Sequence, residues 1–437
     1  TVNRLRQDVK SVLTHIPKVG ESVFNLVKRA EESFKGFVIP VGTIFEDLGF
    51  QYVGPLPGHD LEALIETFGN ISQLDGPVLV HVITKKGKGY APAEADPTRF
   101  HGVGSFDVAS GRNINAGKSA PPSYTEVFGQ TLVKLAALDE RVVGITAAMP
   151  AGTGVELMAE KFPDRVYDVG IAEQHGVTLA AGMASQGLHP FVAIYSTFMQ
   201  RAFDQVLHDV ALQNLPLTLC LDRAGVVGED GPTHHGTFDL SYLRMIPNMI
   251  IMAPKDENEL QQMLFSSLQY SSPVAIRYPR GSGLGVEIES EFKSLELGSW
   301  EVLRPGRDLL LLAVGSCVAP ALAAAEALSQ NDNLDCQVVN CRFVKPFDEE
   351  LLDSLLKDFK QVFTFEENAV AGGFGAGVLE FMAARKIWTT QVVITGVPDR
   401  FIPHGAPKQL RSELMLDADG IRKTVLKNLL PGDTSAG

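Results

Sequence analysis

Asp168-Val169-Gly170-Ile171-Ala172-Glu173-Gln174-His175 places one carboxylate between the end of an apolar strand and a helix rich in small residues. Upstream, Arg165-Val166-Tyr167-Asp168-Val169 alternates as a short strand does. Downstream, Gly176, Ala180 and Ala184 recur at every fourth position and share one helical face. A face so bare lets another backbone approach, so the pattern predicts a tightly packed helix pair beside Glu173, with the carboxyl partly removed from water. A carboxyl in that setting resists ionisation and can share a proton with a ligand nitrogen. The plain alternative is a helix-start acid that complements the helix dipole. What accompanies Glu173 along the chain decides between them.

The same strand-then-helix grammar repeats in both directions. A helix is expected within residues 1–35, from the spacing of Val19, Val23, Leu26 and Val27. The strand Gly49–Gly54, running into a turn at Pro55 and Pro57, is followed by a helix stripe (Leu61, Leu64, Ile65, Phe68) and a buried strand, Pro77–Thr84. Residues 91–122 carry much Pro, Gly, Ser and Asn and read as a linker. Beyond Tyr124, strands at Val142–Thr146, Pro190–Tyr195, Leu217–Leu221 and Val274–Tyr278 form a second set, and Asp308–Val314, Cys336–Val339, Gln361–Phe365 and Gln391–Ile394 a third. The fold class is therefore α/β, with three domains at 1–121, 122–298 and 299–437, each a mainly parallel sheet flanked by helices.

A length of 437 residues exceeds what one core serves, and 45% hydrophobic residues suffice to fill several. No apolar run is long enough to span a bilayer, so no membrane partner is expected. The start, Thr1-Val2-Asn3-Arg4, lacks an initiator Met and a signal-peptide core, which suggests an N-terminus made by processing or cleavage. A net charge of −14 argues against a nucleic-acid partner. Of four cysteines, Cys220, Cys317 and Cys341 lie in or beside apolar runs without metal-ligand spacing; reduced core residues and a reducing compartment are expected.

Unusual residues gather just after the strands of the second domain. Tyr195-Ser196-Thr197-Phe198, Asp222-Arg223-Ala224-Gly225 and Tyr278-Pro279-Arg280-Gly281 all leave on the same side of a parallel sheet. Arg223 and Arg280 could converge there on a dianion. The loop Gly228–Gly236 holds Glu229, Asp230, His234 and His235; neighbouring histidines in an extended loop need not face the same way, which disfavours a two-ligand zinc site and leaves proton transfer by one of them, or a solvated loop histidine. In the first domain, Thr84-Lys85-Lys86-Gly87-Lys88-Gly89-Tyr90 leaves a strand as a basic, glycine-bearing loop where a phosphate could sit, the alternative being a solvated lysine turn. Glu366–Gly375 carries a glycine run best explained as a tight strand-to-helix connection.

Taken together with Gly54-Pro55-Leu56-Pro57-Gly58-His59-Asp60 and Phe100-His101-Gly102-Val103, these motifs resemble the transketolase-like thiamine diphosphate enzymes, and within them the 1-deoxy-D-xylulose-5-phosphate synthase family. The resemblance implies the decarboxylative condensation of pyruvate with glyceraldehyde 3-phosphate by a homodimer that uses thiamine diphosphate and Mg2+. It assigns Glu173, His234 and His101 to catalysis, and Glu173, Phe198, Lys88 and Ile171 to the cofactor. Tyr195, Arg223, Asp230 and Arg280 would hold the acceptor. The nearest rivals are transketolase, a 2-oxo acid dehydrogenase β-subunit, or a fragment that has lost catalysis. One departure stands out: the family's Gly-Asp-Gly motif with its downstream Asn, which binds Mg2+ and diphosphate, is missing. The first domain is therefore expected to be incomplete, with no metal ligand in this chain and the missing part either carried by a separate N-terminal fragment or removed by truncation. Bacterial cytoplasm or plastid stroma would suit a reducing compartment.

Overall fold

Strands form where the apolar runs are densest. The computed structural model describes residues 42–114 and 120–429, so the helix expected within 1–35 lies outside the described residues. The chain divides into two compact units between residues 118 and 119.

In the first unit, β1 (Gln51–Pro57) pairs in parallel with β2 (Val78–Ile83), and the helix Leu61–Ile71 connects them. Asp60 caps that helix, its carboxylate accepting from the Ala63 N–H at 3.1 Å. Two expectations need correcting here. The strand does not stop at Pro55 but runs through it to Pro57. The stretch read as a linker holds a short helix, Ala91–Ala95. It also carries Phe100 and Phe106, which pack edge to face on each other and both lie against Tyr90. Three aromatic rings supply the apolar surface that its Pro and Gly content concealed.

The larger unit holds two sheets. Strands β3 (Val142–Thr146), β4 (Val166–Asp168), β5 (His189–Tyr195), β6 (Thr218–Asp222), β7 (Ile250–Met252) and β8 (Val274–Arg277) are mutually parallel, in the order β7-β8-β6-β5-β3-β4. The chain steps from β3 outward to β4 and then returns to β5 on the other side of β3. That reversal opens a crevice at the carboxyl ends of the strands, where open α/β sheets bind ligands. The second sheet contains β9 (Glu301–Arg304), β10 (Leu309–Ala313), β11 (Cys336–Asn340), β13 (Gln361–Ala369) and β14 (Gln391–Val397), with β9 antiparallel at one edge.

The remaining strand, β12 (Phe343–Lys345), lies in the last third of the sequence yet pairs antiparallel with β7, extending the first sheet to seven strands. The sequence reading missed it, because three residues show no period. Leu310 and Leu312 of β10 join the core that fills the neighbouring domain, while Leu309, Leu311 and Ala313 enter a second core on the opposite face. Burial on both faces explains the unbroken apolar run. Cys220, Cys317, Cys336 and Cys341 are all buried and unpaired.

Candidate active site

At the end of β4, the Asp168 carboxylate accepts from the backbone N–H of Ala148 at 2.7 Å and of Gly170 at 3.0 Å. This clamp ties the end of β3 to the turn that starts the helix Glu173–Ser185. Glu173 opens that helix and is only 3% exposed, whereas Ile171, two residues earlier, is 82% exposed. The helix packs against the helical segments within 200–211, but at Gly176 its small-residue face meets its own sheet. A Cβ on Gly176 would meet Val169, Ile145 and Ile194, so the face turns onto strands of its own sheet. The neighbouring helical stretch Val206–Ala211 instead meets this helix through Thr178, which donates to Asp209 at 2.6 Å.

Buried as expected, Glu173 nevertheless has a partner that sequence reasoning missed. The Arg201 guanidinium donates to Glu173 Oε1, and its carbon lies 4.8 Å from the centre of the Phe198 ring. Arg201 follows Phe198 by three residues, about one helical turn, a spacing that signals its contact with that ring but not its pairing with Glu173. Phe198 stacks on Tyr195 with centroids 5.8 Å apart, and His234 meets Phe198 edge-on at 5.4 Å. Tyr195 needs a glycine neighbour: a Cβ on Gly152 would lie 2.3 Å from its hydroxyl oxygen. Burial pushes the Tyr195 phenol up to about 12.

The two arginines predicted to converge do so. Arg223, directly after β6, takes the left-handed conformation with φ 60° and places its guanidinium 3.9 Å from the centre of the Tyr195 ring. Arg280 donates to the Val227 carbonyl at 3.0 Å and to Asp230 at 2.9 Å, while Arg223 lies 3.7 Å from the same Asp230 oxygen. The paired histidines face different surroundings. His235 is buried, accepting from the Val227 N–H at 3.0 Å on Nδ1 and donating from Nε2 to the Pro403 carbonyl at 3.1 Å. His234 remains partly exposed and shares a hydrogen bond with the Thr233 hydroxyl at 2.9 Å.

Lys88 and His101 belong to the first unit, and both are exposed there. Beside Lys88, Glu94 pairs with Lys85 at 2.6 Å; hydrogen bonds from Lys85 and the Gly89 N–H hold its carboxyl down to about 2. Among the described residues, no group of three or more His, Cys, Asp or Glu could hold a metal ion.

Behind the arginines, Asp222 ends β6 fully buried, with Oδ2 accepting from Thr125 at 2.8 Å and Oδ1 without a partner. Burial raises its carboxyl to about 7, although Thr125 and Arg223 pull the other way. An acid whose folded value is raised binds more protons folded than unfolded. Its contribution to stability therefore falls as pH climbs from about 4 to about 7. Replacing Asp222 with Asn removes that slope: thermal unfolding should show the variant gaining on the unmodified protein at pH 8 relative to pH 5. A constant difference between the two would contradict the assignment.

Residues 120–284 match the transketolase pyrimidine-binding domain family, residues 298–421 the transketolase C-terminal domain family and residues 1–84 the 1-deoxy-D-xylulose-5-phosphate synthase family. The 1-deoxy-D-xylulose-5-phosphate synthase of Syntrophus aciditrophicus is 53% identical over 436 residues, 100% of this chain and 67% of the relative. That of Aquifex aeolicus is 52% identical, over 99% of this chain and 67% of the relative. The chain thus spans about two thirds of the length of these curated relatives. Among solved structures, a split-gene transketolase described as an inactive beta4 tetramer is 29% identical with a TM-score of 0.62, covering 70% of this chain and 98% of that one. A transketolase from Campylobacter jejuni, 19% identical with a TM-score of 0.58 over 90% of this chain and 70% of its own, shares the fold. The chain belongs to the 1-deoxy-D-xylulose-5-phosphate synthase family of transketolase-like transferases.

Proposed function

We propose that the polypeptide carrying this chain condenses pyruvate with D-glyceraldehyde 3-phosphate, releasing carbon dioxide and forming 1-deoxy-D-xylulose 5-phosphate. One observation supports this reading above the others: the Tyr195 ring joins two clusters, stacking on Phe198 beside Glu173 and lying under Arg223 beside Asp230 and Arg280. A buried carboxylate with an aromatic ring suits a heteroaromatic cofactor, and a pair of guanidiniums suits a phosphorylated acceptor.

The residues present fit the aminopyrimidine end of thiamine diphosphate. Glu173 would accept from a ring nitrogen, Phe198 would stack on the ring, and exposed Ile171 would cover it with apolar surface. When bound, thiamine diphosphate supplies the carbon nucleophile and the electron sink for decarboxylation. Lys88 would face the diphosphate. Mg2+ would accompany the diphosphate in this reading; among the described residues no group of three or more His, Cys, Asp or Glu could hold it. Arg223 and Arg280 would bind the acceptor phosphate, with Asp230, which lies against both guanidiniums, holding them in place beside it. His234 and His101 would hold or move protons at the reacting oxygens. The domain limits 1–121, 122–298 and 299–437, a homodimer and the bacterial cytoplasm belong to the same proposal. Light scattering tests the dimer.

Pyruvate labelled at its carboxyl carbon should release labelled carbon dioxide as glyceraldehyde 3-phosphate is consumed. Ketol transfer between sugars without carbon dioxide would point to transketolase instead and overturn the proposal. With Arg280→Leu, the KM for glyceraldehyde 3-phosphate should rise about 10- to 100-fold, the loss of one charge-assisted hydrogen bond. The KM for pyruvate should change about threefold or less. An equal rise in both would remove Arg280 from the acceptor site.

A further inference from the structure

The loop that carries Arg223, Asp230 and His234 is not held by its own domain alone. It closes on itself, the Gly225 N–H donating to the Gly236 carbonyl at 2.7 Å and the Gly236 N–H to the Gly225 carbonyl at 2.8 Å. Against this closure stands Glu367, near the end of β13 in the last domain and 1% exposed. Glu367 Oε1 accepts from the Val226 N–H at 3.2 Å and from Arg411 Nε at 2.8 Å, and Oε2 accepts from the Ser316 hydroxyl at 2.6 Å. Contact is so close that a Cβ on Gly225 would lie 2.7 Å from the Glu367 carboxyl carbon. The Glu367 carbonyl also accepts from Arg277 at 3.1 Å. Farther along, His235 donates to the Pro403 carbonyl, the Gly405 N–H to the Gly228 carbonyl at 3.3 Å, and the Ala369 N–H to the Thr237 carbonyl at 2.7 Å.

A buried carboxylate with three donors aimed at it is acceptor-only by design, and its charge is matched by Arg411. The ring of contacts fixes the backbone on which Arg223, Asp230 and His234 stand, while the Glu367 carboxylate is bonded to Val226, Ser316 and Arg411. We propose that Glu367, neutralised by Arg411, is a positioning residue through which the last domain sets the loop 223–236 for the acceptor phosphate. This rests on the reading of Arg223, Asp230 and Arg280 as that phosphate site. Glu367→Gln keeps the shape but removes the charge that holds Arg411. Arg411→Met removes the counter-charge from the other side.

Both variants are made in the full polypeptide that carries this chain and examined by hydrogen exchange and by steady-state kinetics. Exchange of amides in 223–237 should accelerate about tenfold while β10 and β11 stay as protected as before. The KM for glyceraldehyde 3-phosphate should rise about fivefold or more, with the KM for pyruvate changed less than about twofold. Unchanged loop exchange in both variants would overturn the proposal. So would uniform acceleration across the domain, or an equal rise in both KM values, since a merely structural role predicts those. Should the unmodified enzyme release no carbon dioxide from pyruvate, the functional reading fails, while loop exchange still decides whether Glu367 holds the loop.

Discussion

Glu173→Gln should lower kcat by about a thousandfold, the scale of a lost proton-transfer partner, and leave thermal stability almost unchanged. Both halves of this expectation come from geometry. The carboxylate is buried, so its loss is not made good by water. Its partner Arg201 has a half-exposed side chain, so the guanidinium turns to solvent when Glu173 becomes neutral. An exposed cation released in this way costs little. Gln offers the same shape and one acceptor oxygen, but it cannot take up and return a proton. Measured in the full polypeptide, a kcat within about tenfold of the unmodified enzyme would exclude proton transfer by Glu173. A large fall in melting temperature would show instead that the Arg201 pair serves stability.

How far the sequence led depends on the physical origin of each feature. Strands buried on both faces announce themselves, since Leu309–Ala313 admits no polar residue. Loops that leave a parallel sheet on one side must come together, so Arg223 and Arg280 could be paired from strand positions alone. The small-residue stripe at Gly176, Ala180 and Ala184 was legible as a close-packing face, but periodicity does not say what packs there, and at Gly176 the answer was a sheet. Pairings between residues distant in sequence left no local trace. Arg201 meets Glu173 across 28 positions, and Glu367 meets Val226 across 141. β12 joins a sheet whose other strands all lie in the preceding domain, which three residues cannot foretell. The motif Gly228–Gly236 declared chemistry, yet only the structure separates its buried, fully bonded His235 from the accessible His234.

Asp239→Ala should cost about 3–5 kcal/mol of folding stability, the usual penalty for stranding a buried charge. Asp239 is fully buried and accepts from Arg277 Nε at 3.0 Å on both carboxylate oxygens, and from the Ser196 hydroxyl at 2.9 Å. Arg277 is 4% exposed, and without Asp239 its guanidinium keeps only the carbonyls of Gly236 and Glu367. Contrast Asp230, whose pair with Arg280 is half exposed; Asp230→Ala should cost about 0–1 kcal/mol while impairing the acceptor site. The double variant Asp239→Leu with Arg277→Met should recover much of the loss, because apolar residues of similar size replace a buried ion pair at little cost. Denaturant unfolding measures all three. If the double variant is no more stable than Asp239→Ala, the stranded charge is not the cause. The lost bonds from the Ser196 hydroxyl and the Leu240 N–H would then carry the effect.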